Sequence, residues 1–362
     1  MSPIVIIALI FAVVGAVDYF IGNKLGAGAA FEKAFYIFCP MALTMIGMIV
    51  LAPAIGTWLT PFFTWFYNVF RIDPSILPAS ILANDMGGAS LATAICLTEK
   101  IGGFNAYVVA SMLGCVISFT LPFALGLVKK EFHGELFFGL LCGIATVPVG
   151  CFVSGLLCGI PVLLVLLDLL PVILFSLLVG AALIFVPKIC IKCFAVFGTV
   201  IKGVALVGLL LASFTFLTGI EISPYFDTLE NGAMVCVNAC IVLAGMLPFM
   251  HLVSVLLKKP LHKLGQLFGI NGVSALSLLT TVVTSSPTFG VMNDMNKKGV
   301  VLNAAFAVSA SFALGSHLAF TMALDERYVL PMIIGKLISG LCGLSLAMLL
   351  YKDTEKQTPV CA

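Results

Sequence analysis

Asp85 is the residue whose type and position most clearly invite chemistry, sitting in Ala83-Asn84-Asp85-Met86-Gly87-Gly88 with apolar residues on either side. A carboxylate inside an apolar segment needs a compensating partner. A small cation is such a partner, since at ~4 Å and an effective dielectric near 20 the attraction is about 4 kcal/mol. Gly87 and Gly88 let the backbone turn and present carbonyls to the same cation, with the Asn84 amide beside them. The alternative for Asp85 is to cap the half-helix that follows, a role worth about 1 kcal/mol. A second cluster, Thr284, Ser285, Ser286 and Thr288 around Pro287, offers hydroxyls and unpaired carbonyls. These suit a hydroxyl or amine, or the turn's own backbone groups.

Asn105, Asn303 and His317 stand on the apolar stretches that follow these clusters. Asn303 and His317 differ by ~40° around a helix and could line one groove, with bonding between helices as the alternative. Asp168, in Leu-Leu-Asp-Leu-Leu-Pro, and Lys336, in Ile-Gly-Lys-Leu-Ile, are charges inside apolar runs. They are candidates for an intramembrane ion pair that locks the bundle. Cys190-x-x-Cys193 lacks a second pair at ligand spacing, so no metal is expected. No HExxH, P-loop or G-x-S-x-G pattern occurs. Catalytic residues and cofactors are accordingly not expected, and the chain does not read as an enzyme.

The elements that position these residues follow from composition. Of 362 residues 61% are hydrophobic and 9% charged, against roughly 25% charged in a soluble domain, and the mean hydropathy is +1.20. So much apolar surface needs hydrocarbon as its solvent. With a net charge of +2 and no basic face, nucleic acid is not an expected partner. Runs long enough to cross a bilayer lie at about 3–22, 34–57, 104–128, 135–158, 161–187, 195–218, 232–257, 300–323 and 328–351. Segments 74–98 and 271–296 are broken midway, and each half is too short to span. They are predicted to be re-entrant hairpins.

Placing Lys129 with Lys130, Lys188 with Lys192, and Lys258 with Lys259 and Lys263 in the cytoplasm gives nine spans and two hairpins, with the N-terminus outside. Eleven full spans is the alternative. The first hairpin then enters from outside and the second from inside. The order span, Phe70-Arg71-Ile72-Asp73, hairpin, span recurs as span, Phe268-Gly269-Ile270-Asn271, hairpin, span. Asn105-Ala106 before Ser111 likewise matches Asn303-Ala304 before Ser309. The expected fold is an all-α polytopic membrane protein of two inverted-topology repeats. It forms a single membrane domain over 1–362: a first repeat at 1–158, a linking span at 159–193, a second repeat at 194–352 and a polar tail at 353–362.

At Asn84-Asp85-Met86-Gly87-Gly88, at Phe306 through Leu318, at Pro331 through Ile338, at Ala16-Val17-Asp18 and at Met246 through Leu252, the chain resembles the ethanolamine utilisation permeases (EutH type). The resemblance covers nearly the whole chain. It implies a multi-pass permease of the inner (cytoplasmic) membrane that brings ethanolamine to a cytoplasmic lyase pathway. Its partners would be ethanolamine, the lipid bilayer and, in a homo-oligomer, further copies of the chain. Ser316 departs from the acid expected at that position. The residues agree in kind, because protonated ethanolamine is a small ammonium with a hydroxyl. Two other classes stay open: an ion-coupled carrier of another metabolite such as a small carboxylate, favoured if Lys336 rather than Asp85 faces the cavity, and a membrane sensor without flux.

Overall fold

A computed structural model describes residues 3–351, and the polar tail expected at 353–362 lies outside the described residues. The long apolar runs form helices, which satisfy every backbone group within one segment where no water is available. In chain order these are α1 (Pro3–Phe20), α2 (Ala27–Trp58), α3 (Thr60–Phe70), α4 (Ile76–Ile81), α5 (Gly88–Ile95), α6 (Glu99–Gly103), α7 (Leu121–Leu127), α8 (His133–Leu157) and α9 (Val162–Phe185). They continue as α10 (Pro187–Thr218), α11 (Leu229–Phe268), α12 (Gly272–Val283), α13 (Ser286–Gly290), α14 (Lys297–Ala310), α15 (Ser316–Leu324) and α16 (Val329–Leu350). Between α6 and α7 the chain stays helical as two wide π-helical stretches, Phe104–Gly114 and Val116–Thr120. No strand occurs among the described residues. Among the described residues, eight helical stretches are long and apolar enough to cross a bilayer, and the protein is an all-α, multi-pass membrane protein.

The run at 300–323, expected as a ninth span, is two helices. Residues 311–315 are unwound between α14 and α15, with Phe312 in the left-handed region at φ 61°. Their backbone turns to α12 instead: Phe312 N–H donates to Thr281 O (3.3 Å) and Leu314 N–H to Val282 O (2.9 Å). Gly315 lies so close that a Cβ there would sit 1.9 Å from Val283 O. Buried pairing of this kind is what permits irregular backbone at membrane depth.

The two broken segments each fold back on themselves. In the first, α4 and α5 are joined by a single 3-10 turn, Asn84–Met86, and Gly87 takes φ 96°. Its two ends meet at Asp73, whose Oδ2 accepts the N–H groups of Leu97 (3.0 Å) and Thr98 (3.2 Å). In the second, α12 and α13 meet at Thr284-Ser285. Here the ends join as Asn271 Nδ2 donates to Asp294 O (2.8 Å) and Asn296 Nδ2 to Gly269 O (2.8 Å).

The bases of the hairpins lie at opposite ends of α8, which at 25 residues is roughly 37 Å long. Just before its N-terminus, Lys129 N–H donates to Asn293 Oδ1 (2.8 Å), next to the second base. Just beyond its C-terminus, Gly159 O accepts from Lys100 Nζ (2.8 Å), next to the first. The helix α8 itself packs tightly on α14 and α16, because Gly139, Gly143 and Gly150 leave no side chain between it and the carbonyls of Val301, Ala305 and Gly335.

Candidate functional site

The tips of both hairpins and the unwound segment 311–315 converge on one cavity of about 560 Å³. Asp85, Met86, Thr284, Ser286, Pro287, Phe312, Ser316 and His317 stand on its wall, faced by Lys33, Thr44 and Met41 of α2, Phe119 and Lys202. A second cavity of about 410 Å³, reaching Gly26 and His251, shares Lys33, Leu247, Val283, Thr284 and Pro287 with the first. Asp85 is the one acid among the residues lining the larger cavity, and its side chain is 17% exposed.

The carboxylate of Asp85 is held from behind. No side-chain hydrogen bond caps α5, so the capping role open to this residue is not taken. Instead Asp85 Oδ1 lies 3.6 Å from His317 Nε2, and Ser316 is a near neighbour of the same carboxylate. Behind the imidazole, Lys336 Nζ donates to Ser111 O and to His317 Nδ1, the latter at 3.2 Å. An ammonium has only protons to offer, so Nδ1 accepts and the neutral ring carries its proton on Nε2, pointed at Asp85. The result is a row running from Lys336 through His317 to Asp85, with Asp85 and the imidazole on the cavity wall and the ammonium behind them. Phe119 and Phe312, 5.4 Å apart between ring centres, add π faces that suit a cation.

Other residues singled out from sequence have different placements. Asn84 is buried and donates to Thr321 Oγ1 (3.3 Å), fastening the first tip to α15. Gly87 makes the turn against Met48, where a Cβ would lie 2.5 Å from the methionine's terminal carbon. Ser286 is on the cavity wall, while the Ser285 hydroxyl is buried without a partner. Thr288 bonds within its own hairpin, to Thr281 Oγ1 (2.7 Å) and Ser277 O (3.2 Å).

Asn105 and Asn303 are not on the cavity wall. Each ties its helix to the first arm of the preceding hairpin: Asn105 Nδ2 donates to Ser75 Oγ (3.0 Å) and Asn303 Nδ2 to Ser274 O (3.0 Å). The expected groove shared by Asn303 and His317 does not form, because the break at 311–315 interrupts the helical phase on which the ~40° separation depended. The expected pair of Asp168 with Lys336 does not form either. Asp168 Oδ1 accepts from Asn105 Nδ2 (3.3 Å) at the base of the first hairpin, whereas Lys336 is engaged by Ser111 and His317. Lys202 escaped the sequence reading although it is the only charge within residues 193–220, a signal of function by itself.

Known proteins resemble this chain along its whole length. Residues 2–350 match the family described as "Ethanolamine utilisation protein, EutH". The probable ethanolamine permease EutH of Listeria monocytogenes serotype 1/2a is 38% identical over 98% of this chain and 95% of its own. The uncharacterized protein YxeR of Bacillus subtilis is 36% identical over 96% and 94%. The probable ethanolamine permease EutH of Salmonella typhimurium is 34% identical over 92% and 88%. No solved structure matches the chain significantly. With this coverage and identity, the chain belongs to the EutH family of ethanolamine utilisation proteins.

Proposed function

We propose that this protein is a permease of the cytoplasmic membrane that passes ethanolamine as its protonated form, with the ammonium held by Asp85. The observation that carries the reading is that Asp85 is the one acid lining a cavity whose wall also includes Thr284 and Ser286 of the opposite hairpin. An ammonium with a hydroxyl two carbons away is matched in kind by this lining, its charge by Asp85 and its hydroxyl by Thr284 or Ser286. Relatives named as probable ethanolamine permeases support the same cargo.

Lys336, the charge whose exposure would favour a carboxylate cargo, is fully buried and turned away from the cavity. Lys33 and Lys202 also stand on the wall and oppose a bound cation, so the attraction has to come from Asp85. The placement of the two hairpin bases at opposite ends of α8 supports two inverted repeats with re-entrant hairpins. In that arrangement the tips can expose Asp85 to one side of the membrane at a time.

The test is uptake of labelled ethanolamine into proteoliposomes at acidic and alkaline external pH, against empty liposomes and Asp85→Asn. The neutral amine crosses lipid unaided, so the protein-dependent share is expected to be largest in acid and to vanish in the variant. Normal uptake by a correctly inserted Asp85→Asn protein removes Asp85 from the proposed role. Binding of ethanolamine without flux in any condition makes the protein a sensor.

A further inference from the structure

At the base of the first hairpin four buried side chains form a row. Ser75 Oγ donates to Asp73 Oδ1 (2.7 Å), and Asn105 Nδ2 donates both to Ser75 Oγ (3.0 Å) and to Asp168 Oδ1 (3.3 Å). The directions are fixed. Asp73 is an acceptor four times over, from Ser75 N–H, Ser75 Oγ, Leu97 N–H and Thr98 N–H. Ser75 has therefore spent its only hydroxyl proton on Asp73 and can do nothing but accept from Asn105. The amide nitrogen of Asn105 must face Ser75 and Asp168, and both its protons are used.

Two oxygens are left over. Asn105 Oδ1 and Asp168 Oδ2 are buried and have no partner, on residues that are 0% and 4% exposed. If Asp168 is a carboxylate, both orphans are pure acceptors and neither can relieve the other, an expensive state away from water. One added proton resolves both. A carboxylic acid facing a carboxamide is a matched pair, in which the amide N–H goes to one carboxyl oxygen and the carboxyl O–H goes to the amide oxygen.

We propose that Asp168 is a proton-binding site: its side chain is held as the neutral acid, paired reciprocally with Asn105, and joins α9 to the base of the first hairpin. The charged and titratable groups around it favour that state. The Asp73 carboxyl stands beyond Ser75 as an acidic neighbour of Asp168, and Cys151 approaches from α8. Residues 203–218 of α10 carry no titratable side chain, and the Lys336 ammonium is committed to Ser111 and His317. No cation on these elements compensates an ionised Asp168. Loss of the proton removes the second bond of the pair and leaves Asn105 Nδ2–H to Asp168 Oδ1 as the remaining one, so proton occupancy sets how firmly the hairpin base is joined to α9. This inference is independent of the identity of the cargo.

Difference infrared spectroscopy of the protein in lipid vesicles tests it without any transport step. The expected result at neutral pH is a protonated-carboxyl C=O band that is lost in Asp168→Asn and kept in Asp85→Asn. Asp168→Asn is close in shape and can form an amide pair with Asn105, so it is expected to fold. If it does not insert, Asn105→Ala carries the test, because removal of the partner must shift the band in frequency. An Asp168→Asn spectrum identical to wild type in this region, or a band unmoved in Asn105→Ala, overturns the proposal. So does a carboxylate band that responds to sodium and is absent in Asp168→Asn, which would make the bridging ion a metal cation.

Discussion

Asp73 and Asn271 close the two hairpins in corresponding ways at opposite ends of the molecule. Asp73 Oδ2 accepts the N–H groups of Leu97 and Thr98 where the first hairpin returns. Asn271 Nδ2 donates to Asp294 O, and its N–H to Asn296 Oδ1, where the second returns. One device uses an anion and the other a neutral amide. Hydrogen bonds to a charged group are worth about 1.5–3 kcal/mol each and neutral ones about 1, so Asp73→Ala is expected to destabilise the protein by about 3 kcal/mol or more. Asn271→Ala, which also removes the acceptor of Ser274 N–H and Oγ at the start of α12, should lose about 2–3 kcal/mol, less than Asp73→Ala bond for bond. Thermal unfolding of the two variants in one detergent compares them directly, and equal losses would contradict the distinction between anion and amide.

The unwound stretch between α14 and α15 makes Gly315 intolerant of any side chain. Its Cβ would meet the backbone oxygen of Val283 at 1.9 Å, and two packed backbones have to separate to admit it. Gly315→Ala is expected to cost about 2–4 kcal/mol, seen as a fall in monodisperse yield and melting temperature. Gly290→Ala, where a Cβ meets nothing within 4 Å, is the matched control and should behave as wild type.

His317 owes its tautomer to Lys336. Replacing Lys336 by Met removes the donor to Nδ1 while keeping the volume, so the ring is free to protonate either nitrogen. Nitrogen NMR of labelled histidine is expected to show the Nε2–H form in the wild type and a mixture in Lys336→Met. Uptake should fall with it, as Asp85 loses its oriented neighbour. A single unchanged tautomer in the variant would show that another contact holds the ring.

Lys202 faces the same cavity as Asp85. Removing a like charge from the surroundings of a bound ammonium should tighten its binding by a few-fold at the separations typical of a cavity this size. Lys202→Met is therefore expected to lower the KM for ethanolamine, most clearly at low ionic strength. An unchanged or raised KM would mean that the cargo reaches its site as a neutral or anionic species.

The fold class and the location of both breaks were legible from hydropathy and from Asn84 to Gly88 and Thr284 to Thr288. The unwound residues 311–315 were not, because Ser-Phe-Ala-Leu-Gly stays as apolar as a helix while its backbone pairs with α12. That one break also misled the geometry of Asn303 and His317, whose relative angle holds only on an unbroken helix. Asn105 and Asn303 announced themselves by their matched spacing, yet spacing says nothing of what lies across the gap. The facing groups are Ser75 Oγ and Ser274 O, which makes the asparagines anchors of the hairpins. Asp168 and Lys336 were paired in expectation because they are opposite charges in apolar runs. In three dimensions each is met by nearer polar groups. Asp85, His317 and Ser286 do share the cavity wall.

The cavity at the hairpin tips holds far more space, about 560 Å³, than its proposed cargo can fill, at roughly 30 Å³ per water-sized volume. A ligand of about four non-hydrogen atoms has a thermodynamic ceiling near −1.5 kcal/mol per atom, which bounds its dissociation constant at no tighter than ~40 µM. Such a protein cannot be a high-affinity scavenger of trace amine. On the proposed reading, so weak a grip suits a cargo that is plentiful outside rather than one gathered from traces.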